Sequence, residues 1–476
     1  METTAALRQI SDLPGPRGLP VLGNALQVSR AQIHQSVERW AREFGPLFQM
    51  KLGPRRLLVI ADPELLAAVM KDRPDGFRRS PLTSTIGKEM GLPQGVFSAE
   101  GDSWRQQRRM VMASFAPGHV REYFPSLVKV TLRLRERWQK AARAGASISL
   151  QADLMRFTVD AIAGLAFGKD VNTLQAGDDV IQRHLDQILP SVSDRALSLV
   201  PYWRWFKRKK DRELDKSVVV INALLKDYVA QARSRLKNDP VAREKPGNLL
   251  EAMIVAADQP GSGLGDAELT GNVLTMLLAG EDTTANTLAW MTYLLKQNPA
   301  ALQRVQQEVR TRAPDPAQFT MELMDRLEYL EACCTETMRL KPVAPFIPLQ
   351  ALRDARVGDI AVPKNTMIWG VLRHNSVSEP WFSDPEVFKP ERWLADAPQP
   401  LSNEAKRMSL PFGSGPRMCP GRYLALLEMK MAMAMLLASF DIDSVTTPDN
   451  LPPRELMAFT MNPVGLSMRL REAATA

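Results

Sequence analysis

The sequence predicts a mainly α-helical fold that carries small β-sheets at its edges. A helical spacing of apolar residues dominates from about residue 102 to residue 340. Within it, Asp266 to Asn298 is a proline-free run of roughly 33 residues, which as a helix would be about 50 Å long. Short β-like pieces bounded by Pro and Gly lie before and after this region. Periodicity alone does not define the topology.

The N-terminal part predicts a stiff lead-in followed by one helix and two strands. Residues 1–30 contain PGPRGLPVLGN, in which Pro and Gly favour an extended segment. Residues 31–44 have helical spacing, and LFQMKLGPRRLLVI predicts two short strands around a Gly-Pro turn. Asp62 and Pro63 then open a helix. We expect residues 31–476 to form a single catalytic domain.

Polar or Pro-rich breaks divide the helical region near residues 200–210, 238–248 and 258–265. After the last break, Asp266 is suited to be the N-cap of the long helix, and Pro299 marks its end.

Beyond Pro342 the pattern changes to short strands, Pro-dense loops and a final helix. The run IAVPKNTMIWGVL is β-like, and the final helix is predicted from about residue 420 to 439. The tail around 457–471 predicts a β-hairpin whose turn runs from Asn462 to Gly465.

Charge and cysteine content narrow the class of protein. The 476 residues have a net charge of +8, but Lys and Arg are scattered and no nucleic-acid-binding module is present, so we expect no nucleic acid partner. Cys333, Cys334 and Cys419 cannot build a disulfide framework, and the adjacent pair is expected to be buried free thiols in a reducing compartment. The sequence shows neither a transmembrane anchor nor a secretory signal, which favours a soluble, cytoplasmic protein, with a processed organellar protein as the alternative.

The loop from Pro411 to Gly421 is the most informative stretch. Its glycines and prolines favour a tight turn before a helix, where a helix N-terminus and Arg417 both favour the thiolate of Cys419. A lone thiolate cannot form a tetrahedral zinc site, but it can be the sole protein ligand of a haem iron. A Gly-rich turn that happens to contain a cysteine is the alternative. A phosphate loop is disfavoured because its Gly-Lys-Ser/Thr end is missing.

The centre of the long helix places polar residues in apolar surroundings. Glycine costs about 1 kcal/mol in a helix interior, and buried acids cost more unless they have partners. Such conflicts often mark functional sites. The hydroxyl of Thr283 can bond the carbonyl of Ala279 and open a groove for O₂ and water. The residues concerned are Ala279, Gly280, Glu281, Asp282, Thr283 and Thr284.

The cysteine loop resembles the haem-binding loop of the cytochrome P-450 family at Phe412-Gly413-x-Gly415-x-Arg417-x-Cys419-x-Gly421. The resemblance extends over nearly the whole chain. It implies the cytochrome P-450 fold, with a long central helix over a haem b (iron protoporphyrin IX). It also implies that Cys419 is the iron ligand and that Arg417 pairs with a propionate. On the central helix it implies that Asp282 gates proton entry and that Thr283 steadies the activated dioxygen.

Two more motifs extend the resemblance. Glu336-x-x-Arg339 and the later Pro390-Glu391-Arg392-Trp393 are similar to the family's buried network of one Glu and two Arg, here Glu336, Arg339 and Arg392. Trp104 and Arg108 look like the family's propionate-binding pair. The complete set expected to contact the haem is Cys419, Arg417, Trp104, Arg108, Phe412, Gly413, Ala279 and Gly280.

One departure from the family pattern concerns a further propionate-binding arginine. Many relatives carry it in the strand after the Glu-x-x-Arg helix, but the run here is VAPFIPLQ. The sequence leaves Arg353 and Gln350 as candidates for that role.

The resulting functional hypothesis is a monooxygenase that inserts one oxygen atom of O₂ into a lipophilic small molecule by hydroxylation or epoxidation. A peroxide-driven peroxygenase and a non-catalytic haem sensor are the alternatives. The pocket is expected from mostly apolar segments, namely 80–98, Met276–Thr283, Val343–Ile347 and Phe459–Met461.

The chain contains no dinucleotide-binding fingerprint, so electrons must come from another protein. We expect a ferredoxin-type donor with its reductase, and a monomeric enzyme. The donor would dock on basic residues around the haem motifs, namely Arg105, Arg109, Lys406, Arg407, Arg422 and Lys430. Residues 201–210, which interleave aromatic and basic side chains, are either a solvated helix connection or a contact to a membrane surface.

Overall fold

The computed structural model describes residues 7–175, 180–198 and 200–473, and these form a mainly helical protein with small sheets, as predicted. In chain order, helices α1–α17 cover Ile33–Phe44, Pro63–Lys71, Pro81–Glu89, Gly101–Ser114, Pro117–Arg143, Leu150–Phe167, Val180–Ala196, Lys209–Asn238, Pro240–Glu244, Leu249–Ala257, Asp266–Gln297, Pro299–Arg312, Met321–Asp325, Glu328–Leu340, Arg373–Ser376, Asn403–Met408 and Arg422–Ser439. Strands β1–β13 cover Arg8–Gln9, Leu47–Leu52, Arg55–Ile60, Phe77–Arg79, Ile148–Ser149, Phe346–Ala351, Ala355–Val357, Ile360–Val362, Met367–Val371, Phe440–Thr446, Glu455–Met457, Met461–Pro463 and Ser467–Glu472.

Four small sheets are present in the described part of the chain. The largest has the strand order β2-β3-β9-β6-β4, in which β2 and β3 form the predicted hairpin around Gly53-Pro54. Two three-stranded sheets have the orders β1-β8-β7 and β10-β13-β5, and β11 pairs with β12. Among the strands of the described residues, only the β3–β9 and β1–β8 pairs are parallel, which agrees with sheets assembled from hairpins and chain ends rather than from βαβ units.

The N-terminal elements follow the sequence pattern. Residues 7–30, the part of the lead-in that the structure describes, contain no α-helix, and their strand β1 pairs with β8. Helix α1 covers most of the predicted span, and the Asp62 carboxylate caps α2 by accepting a hydrogen bond of 2.8 Å from the backbone N–H of Leu65. The capping satisfies one of the backbone donors that a helix N-terminus leaves without a partner.

The long helix α11 runs through the centre of the protein and packs against α6, α8, α14 and α17. Asp266 is its first residue rather than its N-cap. Gly265 occupies the N-cap position, and its backbone N–H donates to the Glu268 carboxylate at 3.0 Å. The prediction of the cap was wrong by one residue because Glu268 reaches back to the helix start and supplies the capping oxygen.

The predicted turn of the C-terminal hairpin was also wrong. Strand β12 pairs with the preceding β11, so the turn lies at residues 458–460 rather than at Asn462–Gly465. Strand β13 pairs instead with β10 and β5. The chain passes from the β11–β12 sheet to the β10-β13-β5 sheet after β12, and the Asn, Pro and Gly residues of this stretch favour the bend that this requires.

Candidate active site

One large cavity of about 1290 Å³ lies beneath the centre of α11. Its walls include side chains from each of the four segments that the sequence predicted as pocket. They also include residues of the lead-in, of β3 and of the connection between α7 and α8, which the sequence did not indicate. The haem-contacting set was predicted to converge on one place, and all of its members line this cavity: Trp104, Arg108, Ala279, Gly280, Phe412, Gly413, Arg417 and Cys419.

The cysteine loop is held in its shape by backbone geometry. Gly413 and Gly415 both have φ of +70°, and a Cβ on Gly415 would lie 2.6 Å from the carbonyl oxygen of Met70. Only glycine combines that conformation with so close an approach of a neighbouring chain. The backbone N–H of Cys419 donates to the carbonyl of Phe412 at 2.9 Å, which fixes the sulfur just before the start of α17.

The electrostatic surroundings of the Cys419 sulfur differ from those that the sequence predicted. Burial raises the pKa of the Cys419 thiol above its ordinary value, although the Gly421 N–H and the Arg108 charge act in the opposite direction. The neighbouring cation is therefore Arg108, not Arg417 as predicted. Arg108 is held in place by a hydrogen bond of 2.7 Å to the carbonyl of Met418. A metal ion coordinated by the sulfur would deprotonate the thiol outright.

Arg417 belongs to a buried cluster of cations on another wall of the cavity. Its Nη2 donates to the Glu100 carboxylate at 2.5 Å and to the carbonyl of Ala99 at 2.6 Å. Its guanidinium carbon lies 4.7 Å from the centre of the Trp104 ring. Arg73 and Arg79 complete the cluster, and Glu100 is the carboxylate that faces all three guanidinium groups.

This arginine cluster contains donors without acceptors. Within the described chain, Nε of Arg417, Nε of Arg79 and both Nε and Nη2 of Arg73 are buried and have no hydrogen-bond partner. Burial, followed by repulsion from the neighbouring arginines, lowers the pKa of Arg79 to about 9 and that of Arg73 to about 10. Buried donors of this kind are costly unless a ligand satisfies them. Two carboxylates on a flat apolar ligand, as in haem, match this donor set.

Neither candidate for the extra propionate partner lies at the cavity. Arg353 is exposed and pairs with Asp72 at 2.7 Å, and the Gln350 amide oxygen accepts from Arg78 at 2.7 and 2.9 Å. Arg73 and Arg79 are the basic residues that the sequence reasoning missed. Arg79 is the last residue of β4, and Arg73 precedes that strand. Because β4 joins the main sheet beside β6, the approach of both residues to Arg417 depends on sheet pairing rather than on a local motif.

The middle of α11 has the geometry that its sequence predicted. The Thr283 hydroxyl donates to the carbonyl of Ala279 at 2.8 Å. Gly280 lies against α6, because a Cβ there would approach Ile162 to 3.0 Å. In addition, the hydroxyl of Thr158 on α6 donates to the carbonyl of Glu281 at 3.0 Å. These contacts bring the two helices together and expose the Thr283 side of α11 to the cavity.

The Asp282 carboxylate is bonded on both oxygens. Oδ2 accepts from the Thr460 hydroxyl, and Oδ1 accepts from the Asn286 amide at 2.9 Å. Burial raises the pKa of Asp282 above its ordinary value, and these two hydrogen bonds offset only part of that effect. Raised pKa values of buried acids are typical of groups that transfer protons near neutral pH.

The predicted network of one Glu and two Arg is present and buried. The carboxylate of Glu336 accepts from Arg339 at 2.7 and 2.8 Å and from Arg392 at 3.1 Å, and the Trp393 indole adds a bond of 2.8 Å. Arg339 and Glu336 are both 0% exposed. Arg339 also donates to the carbonyls of Ser376 and Pro385, so the network ties α14 to the loops that precede the cysteine loop.

The sequence also made predictions about Cys333, Cys334 and Lys430. Cys333 and Cys334 on α14 are buried free thiols, as predicted. Lys430 was assigned to a basic docking surface, but its side chain is buried and donates to Glu331 at 2.8 Å. It lies on the core-facing part of α17, where lysine is tolerated because it is paired.

A lone cysteine at a helix N-terminus, a cavity large enough for a porphyrin and a cradle of arginine donors define the class of haem-thiolate oxygenases. Among the described residues, no group of three or more His, Cys, Asp or Glu could hold a metal ion by itself. A family model described as Cytochrome P-450 matches residues 13–470, and the chain belongs to this family. It is a monooxygenase, and its cofactor is haem b, as in other members of the family.

Comparisons with individual proteins agree with this assignment. The chain is 27% identical over 86% of its length to the chloroplastic carotene epsilon-monooxygenase of Arabidopsis thaliana, of which it covers 76%. It is 29% identical over 99% of its length to a self-sufficient cytochrome P-450 monooxygenase of Exserohilum turcicum, of which it covers 43%. Its fold is shared with the heme domain of cytochrome P-450DA, with a TM-score of 0.84, 22% identity, and coverage of 98% of this chain and 99% of that one.

Proposed function

We propose that Cys419 would supply the thiolate ligand of the haem iron and that the enzyme inserts one oxygen atom of O₂ into a lipophilic small molecule. The observation that carries this proposal is the arrangement of one cavity. Its walls hold the Cys419 sulfur and a buried arginine cluster whose donors lack acceptors. A haem bound there would satisfy the free donors of Arg73, Arg79 and Arg417 with its propionates, while its apolar ring would fill the space beneath α11.

When bound, the haem would supply the chemistry that binds and activates O₂. The residues of this chain would then manage the protons. The Thr283 hydroxyl, bonded to Ala279 and facing the cavity, is suited to hold a water or the reacting oxygen by a hydrogen bond. Asp282, with its raised pKa, is suited to pass protons toward it, while the Thr460 hydroxyl and the Asn286 amide hold its carboxyl group in position.

A lipophilic substrate is favoured by the lining of the cavity. The described walls above the cysteine loop are mainly apolar and include Phe97, Val343, Ile347 and Phe459. Pockets of this kind bind through apolar contact, with a few polar groups that set orientation. The name of the carotene epsilon-monooxygenase is consistent with an apolar substrate class.

A separate electron donor is favoured by the surface beside the cysteine loop. Arg109, Lys406 and Arg422 are exposed. Arg109 lies on α4 with Trp104 and Arg108, and Lys406 lies on α16, which precedes the cysteine loop. Arg422 follows that loop directly, and the exposed apolar side chains of Met418 and Tyr423 are its neighbours in the sequence. A basic surface with an apolar centre suits an acidic ferredoxin-type protein with its reductase.

Two further parts of the proposal concern the cellular location and the oligomeric state of the protein. A cytoplasmic location is supported by the reduced, buried Cys333 and Cys334, because reducing conditions keep such thiols free. None of the described helices is long and apolar enough to cross a membrane. A monomer is proposed as the working unit, and light scattering in solution tests it.

The ligand assignment is tested by the spectrum of the reduced, carbon monoxide-treated protein. A haem-thiolate protein is expected to show the strongly red-shifted Soret band, and Cys419→Ser is expected to abolish it. Cys333→Ser, at a buried thiol away from the cavity, is the matched control and should keep the band. Retention of the band in Cys419→Ser would overturn the assignment.

The reaction class is tested by stoichiometry with surrogate ferredoxin partners. Monooxygenase chemistry predicts one product for each NAD(P)H and O₂ consumed. Product formation from hydrogen peroxide alone, with no response to the electron donor, would indicate a peroxygenase. No turnover under either condition would indicate a haem sensor. Removal of the charges at Arg109, Lys406 and Arg422 should raise the KM for the donor several-fold at low salt, whereas Lys364→Gln, outside this surface, should not.

A further inference from the structure

A chain of two side-chain amides leads from α6 to the carboxylate of Asp282. Gln151, the second residue of α6, is half-buried, and its Nε2 donates to Oδ1 of Asn286 at 3.2 Å. Nδ2 of Asn286 donates to Asp282 twice, to the backbone carbonyl at 2.8 Å and to Oδ1 of the carboxylate at 2.9 Å. Asn286 is 0% exposed, and both polar atoms of its amide are bonded, as burial requires.

The packing of α6 against α11 brings Gln151 to this position. The hydroxyl of Thr158 donates to the carbonyl of Glu281 at 3.0 Å. Seven positions earlier on α6, Gln151 meets Asn286, which lies five positions later on α11. The two helices therefore run in opposite directions, and Gln151 reaches the face of α11 on which Asp282 and Asn286 lie one turn apart.

The Asn286 amide has one orientation that satisfies its neighbours. The backbone carbonyl of Asp282 is an acceptor and nothing else, so the NH₂ group of Asn286 must face it. In the reversed orientation the Asn286 oxygen would lie against both this carbonyl and the carboxylate of Asp282, and its NH₂ group would lie against the Gln151 donor. Rotation of the Gln151 amide as well would relieve only the last of these contacts. Gln151 and the backbone of α11 thus select the same orientation.

This orientation makes the two oxygens of the Asp282 carboxyl group unequal. Oδ1 faces an N–H of Asn286, and a proton on that oxygen would be directed against the N–H. Oδ2 faces the hydroxyl of Thr460, which donates when the carboxylate is ionised and turns to accept when it carries a proton. Burial raises the pKa of Asp282, so the protonated form persists to a higher pH than in an ordinary aspartate.

We propose that Gln151 is a positioning residue for proton transfer and that, through Asn286, it confines the proton of Asp282 to Oδ2. That oxygen is on the cavity side of the carboxyl group, because its partner Thr460 lines the cavity wall and Asn286 does not. A proton on Oδ1 would instead be directed toward the interface of α6 and α11. The consequence for turnover rests on the proposed function, whereas the location of the proton does not.

Gln151 matters because the oxygen of the Asn286 amide is buried. The hydrogen bond from Gln151 is the one that the described chain provides to this oxygen, and a buried acceptor without a donor is costly. A hydrogen bond to a charged carboxylate is about twice as strong as a neutral one, so Q151E is expected to turn the Asn286 amide over. The oxygen of Asn286 then faces Asp282, and the proton of Asp282 moves to Oδ1.

Infrared spectroscopy of the haem-loaded full chain in acidic buffer tests the location of the proton. The C=O band of the protonated Asp282 carboxyl group is identified as the band that Asp282→Asn removes. Its frequency depends on the group that donates to the carbonyl oxygen, which is the Asn286 amide in the parent chain and the Thr460 hydroxyl after Q151E. Q151E is therefore expected to shift the band, and Q151K, which keeps a donor at this position, is expected to leave it in place.

The matched control is A152E, which adds the same charge at the next, half-buried position of α6. It should leave the band in place, so that a shift in Q151E reports on the amide rather than on the charge. A carboxylate in the first turn of α6 is favoured by the helix dipole, and haem content and melting temperature show whether each variant is folded. If Q151E does not fold, Q151M, which removes the donor at similar length, should shift the band instead. An unshifted band in the folded variant, or an equal shift in A152E, overturns the inference.

Turnover separates this inference from the proposed function. With the proton on Oδ1, the product per NAD(P)H should fall several-fold in Q151E and the solvent isotope effect should rise, while Q151K and A152E behave like the parent chain. A shifted band with unchanged turnover would support the location of the proton and contradict Asp282 as the proton donor of the reaction. A loss of turnover with an unshifted band would overturn the inference and leave the proposed function standing.

Discussion

The hydroxyl of Thr460 donates a hydrogen bond to the carboxylate of Asp282, although the two residues are 178 positions apart. Thr460 lies in the turn between β11 and β12, and Asp282 lies in the middle of α11. The turn is held by Glu455 on β11, whose carboxylate accepts from Arg373 at 2.8 and 3.0 Å and from Lys341 at 2.6 Å. A buried ion network thus fixes the donor that faces the proposed proton-transfer acid.

Thr460→Val is expected to slow product formation several-fold and leave the haem spectrum unchanged. The Thr460 hydrogen bond lowers the pKa of Asp282, so its loss raises that pKa further and makes the carboxyl a poorer proton donor. The solvent isotope effect on turnover should increase. Thr460→Ser keeps the hydroxyl and serves as the control. Unchanged turnover and isotope effect in the Val variant would contradict a role for this bond.

Thr283→Ala is expected to divert electrons from product to hydrogen peroxide. The Thr283 hydroxyl faces the cavity and is fixed by its bond to Ala279, so its removal leaves the reacting oxygen without its positioned donor. NAD(P)H consumption should continue while the product per NAD(P)H falls about tenfold, a loss that corresponds to about 1.4 kcal/mol in relative barriers. Thr283→Ser should restore most of the coupling. Full coupling in the Ala variant would count against the assignment.

Local motifs account for the part of the site that could be predicted from the sequence. The turn at Gly413 to Cys419 and the Thr283–Ala279 bond each depend on residues a few positions apart, so their chemistry can be recognised directly. Arg73, Arg79 and Thr460 act across the fold, and their place depends on sheet pairing and on the β11–β12 turn. No spacing rule in one sequence links them to the cavity.

The correction to the C-terminal turn has the same origin. The tail around Asn462–Gly465 has strong turn residues, but β12 has two possible neighbours along the chain and pairs with the earlier one. Pairing partners are selected by the buried face that each strand presents, which is a property of the assembled core. The N-cap of α11 was predicted one residue too late because the Glu268 carboxylate accepts a hydrogen bond from the backbone N–H of Gly265. Asp266 suits an N-cap as well, so the sequence did not indicate this contact.

Arg79→Leu is expected to weaken haem retention and to leave the haem-free protein no less stable. Without a bound carboxylate, Arg79 is a buried cation repelled by Arg73 and Arg417, so its removal relieves repulsion. With haem, the same change removes a propionate donor. The measurement is the rate of haem transfer to an acceptor protein, together with the melting temperature of the haem-free form. Arg353→Leu, at an exposed ion pair, should alter neither.

Glu336→Ala is expected to lower stability and to give a protein that retains haem poorly. The change leaves Arg339 and Arg392 buried without their carboxylate, and breaking such a pair costs about 3–5 kcal/mol. The loops that precede the cysteine loop would lose their tie to α14. Haem content after expression and the melting temperature are the measurements. Glu404→Ala, at an exposed pair with Arg407, is the control, and equal losses in both variants would contradict the structural role.

Glu428→Gln is expected to stabilise the protein progressively as the pH rises from about 4.5 to about 8. Glu428 lies on α17 at the cavity wall, and burial raises the pKa of its carboxyl to about 8 from an ordinary value of 4.5. Between these values the folded state keeps a proton that the unfolded state has released, so the free energy of unfolding falls with pH by about 1.4 kcal/mol per unit. Glutamine cannot ionise and escapes that loss. The melting temperature of the variant should therefore match that of the parent near pH 4.5 and exceed it increasingly up to pH 8, with no further gain above. Glu379→Gln, at an exposed carboxylate, should show a difference that does not grow with pH, and the same flat result for Glu428→Gln would mean that its carboxyl is ionised in the folded protein.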